Sequence, residues 1–273
     1  MKQSSPSQAL EFVRDALLSA NESVRRGRRY GDAAQPIGRG ASGDMTYKVD
    51  KDAEDAVLAT AKRFFESPNI ISEERGILKG GEDVWILLDP IDGSSNAKRD
   101  TGPFSTAVCV STENRFGSVT AAGVIDHSSG RLIWGNSECV YENWGIASRS
   151  NEKSIWKALI SFDSKFYMLR EASITRIATL MAKTKYPRVF STAALETAYV
   201  ATGRIDAYVC LDGGLRTFDC MPSLFLLKKV GCEVSIPWKE LDETRLDSSK
   251  RLSYVAACTQ PLMKQILKIL GSG

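Results

Sequence analysis

The chain has 273 residues, 43% hydrophobic and 25% charged, with a net charge of +3. This is the composition of a soluble globular protein, long enough for one large domain or two closely packed halves. The mild charge argues against a nucleic-acid partner. No run reaches the ~18 apolar residues of a membrane span, so no membrane partner is expected.

From the N-terminus, Ser5-Pro6 opens a helical pattern through Leu10, Val13, Leu17 and Val24 that should end around Gly27. Glu11, Arg14 and Asp15 interrupt any signal-peptide core. Arg25, Arg26, Arg28 and Arg29 read as the solvated end of this helix, where cations suit the negative dipole end. A glycine-rich stretch, Gly31 to Gly43, predicts a mobile loop, and Asp52 to Phe65 a second helix. Strand-like runs follow at Ile70-Ile71, Val84 to Leu88, Ser105 to Val110, Val119 to Ile125 and Leu132 to Trp134. The second half predicts helices at Ile174–Ala182, Thr192–Ala201, Phe218–Lys229 and Pro261–Leu270. Its strands are expected at Ala207–Leu211, Cys232–Ile236 and Tyr254–Cys258. Such mixing predicts an α+β or layered α/β fold. A boundary between halves is expected in the polar stretch at residues 140–155, dividing 1–145 from 146–273 within one compact unit.

The six cysteines are scattered with no Cys-x-x-Cys pair, which predicts buried free thiols and a reducing, cytoplasmic setting. The single histidine, His127, sits in a turn signal and cannot build a zinc site alone. Any metal should therefore be held by carboxylates, which favours Mg²⁺.

The densest chemistry lies in Asp89-Pro90-Ile91-Asp92-Gly93-Ser94-Ser95-Asn96, directly after the apolar run ending at Leu88. Two carboxylates leave a strand, and a glycine with two hydroxyl residues follows, as at a helix start or an anion-cradling turn. Oxygen ligands for a hard cation and N–H groups for a phosphate thus share eight residues, although an ordinary Asp-Pro β-turn has the same composition. Three further acidic features are each open to a plainer reading. Glu73-Glu74 could be a solvated loop, while Asp50 and Asp219 could be helix caps. Together they make the set of acidic element ends that a cluster of Mg²⁺ ions demands.

These segments, in this order and spacing, resemble the inositol monophosphatase family over nearly the whole chain. Asp89 to Asn96, with Trp85 before and Gly102-Pro103-Phe104 after, is similar to that family's first signature. Glu73-Glu74 matches its upstream glutamate motif and Asp219 its C-terminal signature. Ser72-Glu73-Glu74, Tyr47-Lys48-Val49-Asp50 and Leu215-Arg216 resemble the archaeal branch, whose members often act on both inositol monophosphate and fructose 1,6-bisphosphate. Phe218, Cys220-Met221-Pro222-Ser223 and Lys228-Lys229 depart from the family pattern without removing a carboxylate.

The resemblance implies an α/β/α/β/α sandwich, a homodimer, and a Mg²⁺-dependent phosphomonoesterase using two or three ions on a small sugar or inositol phosphate. It assigns metal ligation to Glu73, Asp89, the Ile91 carbonyl, Asp92 and Asp219. Glu73, Ser94, Asp50 and Thr46 receive catalytic roles, and Gly93, Ser94 and Ser95 hold the phosphate. Asp92, Ser191, Thr192, Asp212 and Arg216 surround the ring. Arg216 suits a second phosphate, or alternatively pairs with Asp212 or Asp219. The Gly38–Gly43 segment with Lys48 resembles a mobile lid, or is only a surface loop. Two rivals share these motifs. One is a 3′-phosphoadenosine 5′-phosphate or NADP phosphatase, for which only Tyr199 and Tyr208 offer stacking aromatics. The other is a non-catalytic regulatory binding protein on the same fold.

Overall fold

The computed structural model describes residues 6–271, so Ser5, the expected helix opener, lies outside the described residues. Helix α1 (Pro6–Tyr30) runs past Gly27 rather than ending there. Gly27 is where α1 comes close to the following helix: an added Cβ would sit 3.2 Å from Asp52 Oδ2. The predicted glycine-rich loop is a hairpin, β1 (Pro36–Arg39) paired antiparallel with β2 (Met45–Tyr47). Glycines at 38, 40 and 43 hid this short pair from the pattern. Helix α2 (Lys48–Phe64) begins four residues earlier than expected, because Asp50 Oδ2 accepts the Tyr47 N–H at 2.6 Å and closes the first turn.

Next come β3 (Asn69–Ser72), β4 (Gly76–Leu78), β5 (Trp85–Asp92), the short helix α3 (Ser94–Arg99), β6 (Ser105–Ser111), β7 (Val119–Asp126), β8 (Arg131–Asn136), β9 (Val140–Glu142) and β10 (Gly145–Ile146). They are followed by β11 (Leu159–Phe162), α4 (Glu171–Lys183), β12 (Tyr186–Arg188), α5 (Ala193–Ala201), β13 (Ala207–Leu215) and α6 (Thr217–Lys229). The chain closes with β14 (Glu233–Val234), α7 (Trp238–Asp242), β15 (Leu252–Ala257) and α8 (Gln260–Leu270). Pro222 lies in the second turn of α6, since the helix starts at Thr217.

Among the described residues these strands form an eight-stranded sheet, ordered β10-β9-β8-β7-β6-β5-β3-β4, and a five-stranded sheet, ordered β12-β11-β13-β15-β14. In the first, β3 and β5 are parallel and the remaining pairs antiparallel. Helices α1 and α2 cover one face of it, while α5 and α6 fill the space between the two sheets. Helix α8 packs on β15 and α4 on α8 beyond the second sheet. The architecture is the expected α/β/α/β/α sandwich.

The period of two along β5 explains the layering. Ile86 and Leu88 pack with Phe12, Val13 and Val57 on the α1–α2 side, while Leu87 faces Leu195, Ala198 and Leu224 on the α5–α6 side. A strand covered on both faces must be apolar throughout, which is the run the sequence displays. Burying each of these side chains contributes about 1.5–3 kcal/mol. Residues 147–158 carry the chain from the first sheet to the second. All six cysteines are free, five buried and Cys139 partly so. Among the described residues no helix is long and apolar enough to cross a membrane.

Candidate active site

The acidic segment lies inside β5 rather than after it, and a defect in the ladder makes it a site. Asp89 pairs with Ala107 and Asp92 with Ser105, so β5 carries one residue more than β6 between these pairs. On a regular strand, residues three apart point to opposite faces; the bulge brings both carboxylates into one cleft. Pro90, which has no N–H to offer a ladder, is tolerated at this irregularity. Its carbonyl accepts from Thr106 Oγ1 at 2.6 Å, and His127 Nε2 lies 2.8 Å from the same hydroxyl. His127 lies in the expected turn after β7 and is buried there, tilted against Phe104 and 3.0 Å from Asn21 Oδ1 at its other nitrogen. It braces the bulge from below. Burial holds the ring neutral, its pKa lowered to about 3.

Gly93 then turns the chain into α3 at a φ of 89°, with Thr192 Cγ2 only 2.5 Å from where a Cβ would be. Ser94 Oγ donates to the Ile91 carbonyl at 3.0 Å and lies 3.3 Å from Asp50 Oδ1. Asp92 is fixed from the far side: its Oδ2 accepts the Ala194 and Leu195 N–H groups at 2.9 and 3.3 Å, and Ser105 Oγ at 3.2 Å. Asp219 accepts the Arg216 N–H at 2.7 Å in the first turn of α6, with Lys165 Nζ 3.7 Å away. Glu73, in the turn after β3, takes the Arg216 guanidinium at 2.6 Å. Asp89 is buried, and its Oδ1 has no hydrogen-bond partner.

Carboxylates gathered this way resist ionisation. Burial, reinforced by Asp219, pushes Glu73 and Asp92 each up to about 8. Burial likewise raises Asp89, with Glu73 and Asp92 adding to it, and lifts Asp50 to about 7. Asp219 is also raised by burial, against the pull of Lys165 and Arg216. The cluster stores a demand for positive charge.

Glu73, Asp89, Asp92 and Asp219 line a cleft of about 650 Å³ that also takes in Ser94, Ser95 and Ser191, while Asp50 is joined to it only through Ser94. Thr46 does not reach the carboxylate cluster; its hydroxyl donates to Glu74. Thr192 is buried beneath Gly93, its N–H donating to Glu196 and its Oγ1 unpartnered. Asp212 is not brought to the cleft. A left-handed residue (φ 60°) in the irregular stretch of β13, it faces a separate cavity of about 480 Å³ and pairs with Arg170 at 2.6 Å. Of the two partners expected for Arg216, Asp212 is taken by Arg170 and Asp219 accepts only its backbone N–H, while the guanidinium pairs with Glu73 and Asp44. Sequence reasoning missed Lys165, Asp163, Tyr167 and Arg251, all lining the cleft. Their segments carry no motif, and only the fold brings them here. Tyr199 and Tyr208 do not line it: Tyr199 donates to Asp126, and Tyr208 is buried against Tyr254.

The inositol monophosphatase family model matches residues 6–271. The chain belongs to the inositol monophosphatase family. It is 27% identical over 244 residues to the fructose-1,6-bisphosphatase/inositol-1-monophosphatase of Archaeoglobus fulgidus, covering 88% of this chain and 89% of that one. It is 29% identical over 210 residues to the Nus factor SuhB of Escherichia coli K12, covering 75% and 76%. The extragenic suppressor protein suhB of Bartonella henselae superposes with a TM-score of 0.82 at 18% identity, over 96% of this chain and 98% of that one, a likeness of fold.

The site's chemistry fits a hard divalent cation: every donor is oxygen, and Asp89 Oδ1 is buried without a partner. Among the described residues no group of three acidic, cysteine or histidine side chains is drawn up in ready coordination geometry. Glu73 is turned onto Arg216 and one oxygen of Asp92 onto the α5 amides.

Proposed function

We propose that the chain is a Mg²⁺-dependent phosphomonoesterase acting on inositol monophosphate, fructose 1,6-bisphosphate, or both. The observation that carries this reading is the convergence of Glu73, Asp89, Asp92 and Asp219 in one cleft beside the start of α3, with a buried carboxylate oxygen left unpartnered. Glu73, Asp89 and the Ile91 carbonyl would hold one Mg²⁺, and Asp89, Asp92 and Asp219 a second. Bound there, the metal supplies the positive charge the cluster demands, acidifies water and screens the phosphoryl oxygens. Ser94, hydrogen-bonded toward Asp50, would orient the attacking water, and Glu73 would take its proton. Backbone N–H groups of Gly93, Ser94 and Ser95 face the phosphate oxygens. Thr46 acts at one remove by holding Glu74 and so the turn that carries Glu73. Asp92 and Ser191 meet the sugar or inositol hydroxyls. Thr192 supports from beneath, and Asp212 has no part in this arrangement.

The test is phosphate release by purified protein from inositol 1-phosphate and fructose 1,6-bisphosphate, with and without Mg²⁺. Release should require Mg²⁺ and be lost in Asp92→Asn, whose fold is checked by circular dichroism. Activity in chelator, or in Asp92→Asn, would refute the mechanism. A second reading, a binding protein on this fold, is supported by the similarity to a protein named Nus factor SuhB. Failure to hydrolyse these esters or nucleotide phosphates would favour it. Tyr167 on the cleft rim makes nucleotide phosphates worth including.

A further inference from the structure

Arg216 makes two ion pairs that belong to different parts of the molecule. Its Nη1 meets Glu73 Oε1 and its Nη2 meets Asp44 Oδ2, both at 2.6 Å. Asp44 lies in the turn of the β1–β2 hairpin, and the same turn is docked on the backbone beside Glu73. The Ala41 N–H donates to the Glu74 carbonyl at 2.8 Å and the Ser42 N–H to the Glu73 carbonyl at 3.3 Å. Gly40 permits this approach, since a Cβ there would sit 2.3 Å from Glu74 Oε2. The guanidinium fork therefore spans from the hairpin turn to the carboxylate cluster, a reach for which its rigid geometry suits it better than an ammonium.

Arg216 also has somewhere else to go. It lines both the main cleft and an adjoining cavity of about 320 Å³ that includes Phe218, Leu246, Ser248 and Arg251. Its guanidinium already lies 5.4 Å from the Phe218 ring centroid, a second favourable seat once it leaves Glu73.

We propose that Arg216 is a tethered cation competing with a bound divalent ion for Glu73, and that through Asp44 it couples the hairpin's docking to metal binding. Arg216 and Asp44 are positioning residues here. The proposal rests on the reading that the cluster takes a divalent cation. A metal at Glu73 displaces the guanidinium toward Phe218, and the hairpin turn loses one of its three anchors. No bond is made or broken beyond these ion pairs.

The test compares wild type with Arg216→Lys, which keeps the charge but loses the fork, so that plain electrostatics predicts no change. Isothermal titration with Mg²⁺ should give about three- to tenfold tighter binding to the variant, the scale of one partly buried ion pair. Hydrogen exchange of residues 40–44 without Mg²⁺ should be faster in the variant, and saturating Mg²⁺ should erase the difference. Asp44→Asn is the second variant: it should show the same fast exchange without Mg²⁺, with Arg216 and the cluster intact. Equal Mg²⁺ affinity, or equal exchange without Mg²⁺, overturns the coupling while leaving the metal reading standing. If wild type binds no Mg²⁺, the metal reading fails and the proposal with it.

Discussion

The molecule buries acidic side chains in two ways within one layer of each other. Glu196, on α5, has both oxygens engaged. Oε1 takes the Ser161 hydroxyl and the Phe190 N–H, the latter at 3.1 Å, and Oε2 takes the Thr192 N–H at 2.9 Å. Asp89, on the bulge of β5, is just as buried, yet one oxygen has no partner and its neighbours are Glu73, Asp92 and Asp219. Burial raises both pKa values, Glu196 to about 7. The first carboxylate ties α5 to the loop before it and to β11, a structural use. The second is left in need of charge by everything around it, which costs stability unless something outside the chain supplies that charge. A polar group that is buried and satisfied serves the fold. One that is buried and unsatisfied, among like charges, is kept for a ligand.

The largest expected effect comes from exchanging the two residues for their amides. Asp89→Asn should lower kcat/KM by roughly a thousandfold, the scale of several kcal/mol of lost metal-assisted stabilisation. In Mg²⁺-free buffer its Tm should stay level or rise, because the amide replaces a group whose ionisation burial and its acidic neighbours oppose. Glu196→Gln should do the reverse, nearly preserving activity while lowering Tm. Calorimetry and phosphate release on both variants decide it, and a clear loss of Mg²⁺-free stability in Asp89→Asn would break the distinction.

The same distinction marks what the sequence could disclose. The apolar run before Asp89 announced a strand and the glycine after Asp92 a turn, and both are there, although the strand runs on through Asp92. The extra residue in β5 that turns Asp89 and Asp92 to one side was invisible, because a bulge is a relation to β6, not a property of β5. The hairpin was lost to its glycines, and short edge strands such as β4 and β10 lack the length for a pattern. Asp212 looked like a neighbour of Arg216 by number, but its left-handed backbone sends it to Arg170 instead. Lys165 and Tyr167 reach the cleft from a segment with no periodicity, so only the five-stranded sheet that carries them could have placed them.

His127 belongs with Glu196 among the satisfied groups, and its pH signature is separable. Unfolded, the imidazole binds a proton below about 6.5. Folded and buried, it does so only near 3. Its contribution to stability is complete above pH 6.5 and is lost as pH falls toward 3, reaching roughly 3 kcal/mol at pH 4.5. His127→Asn should therefore show a flatter fall in Mg²⁺-free stability between pH 6.5 and 4.5 than wild type, whatever its stability at neutral pH. Parallel urea-unfolding curves across that range would show that His127 is not the titrating group.

The smallest effect is the cost of Glu196→Gln itself. An amide cannot accept at both ends, so one of the donors from Ser161, Phe190 or Thr192 must face an NH₂ group. A buried donor left unpaired costs about 1–3 kcal/mol. Part of that loss is offset near neutral pH. With its pKa at about 7, Glu196 favours the folded state through proton uptake, most strongly below the unfolded value and less as pH rises through 7. The variant should thus be most destabilised relative to wild type near pH 5 and least above pH 8. Denaturant midpoints at the two pH values measure this, and a gap that widens with pH would mean that the carboxylate is held ionised by its three donors, with hydrogen bonding outweighing burial at this site.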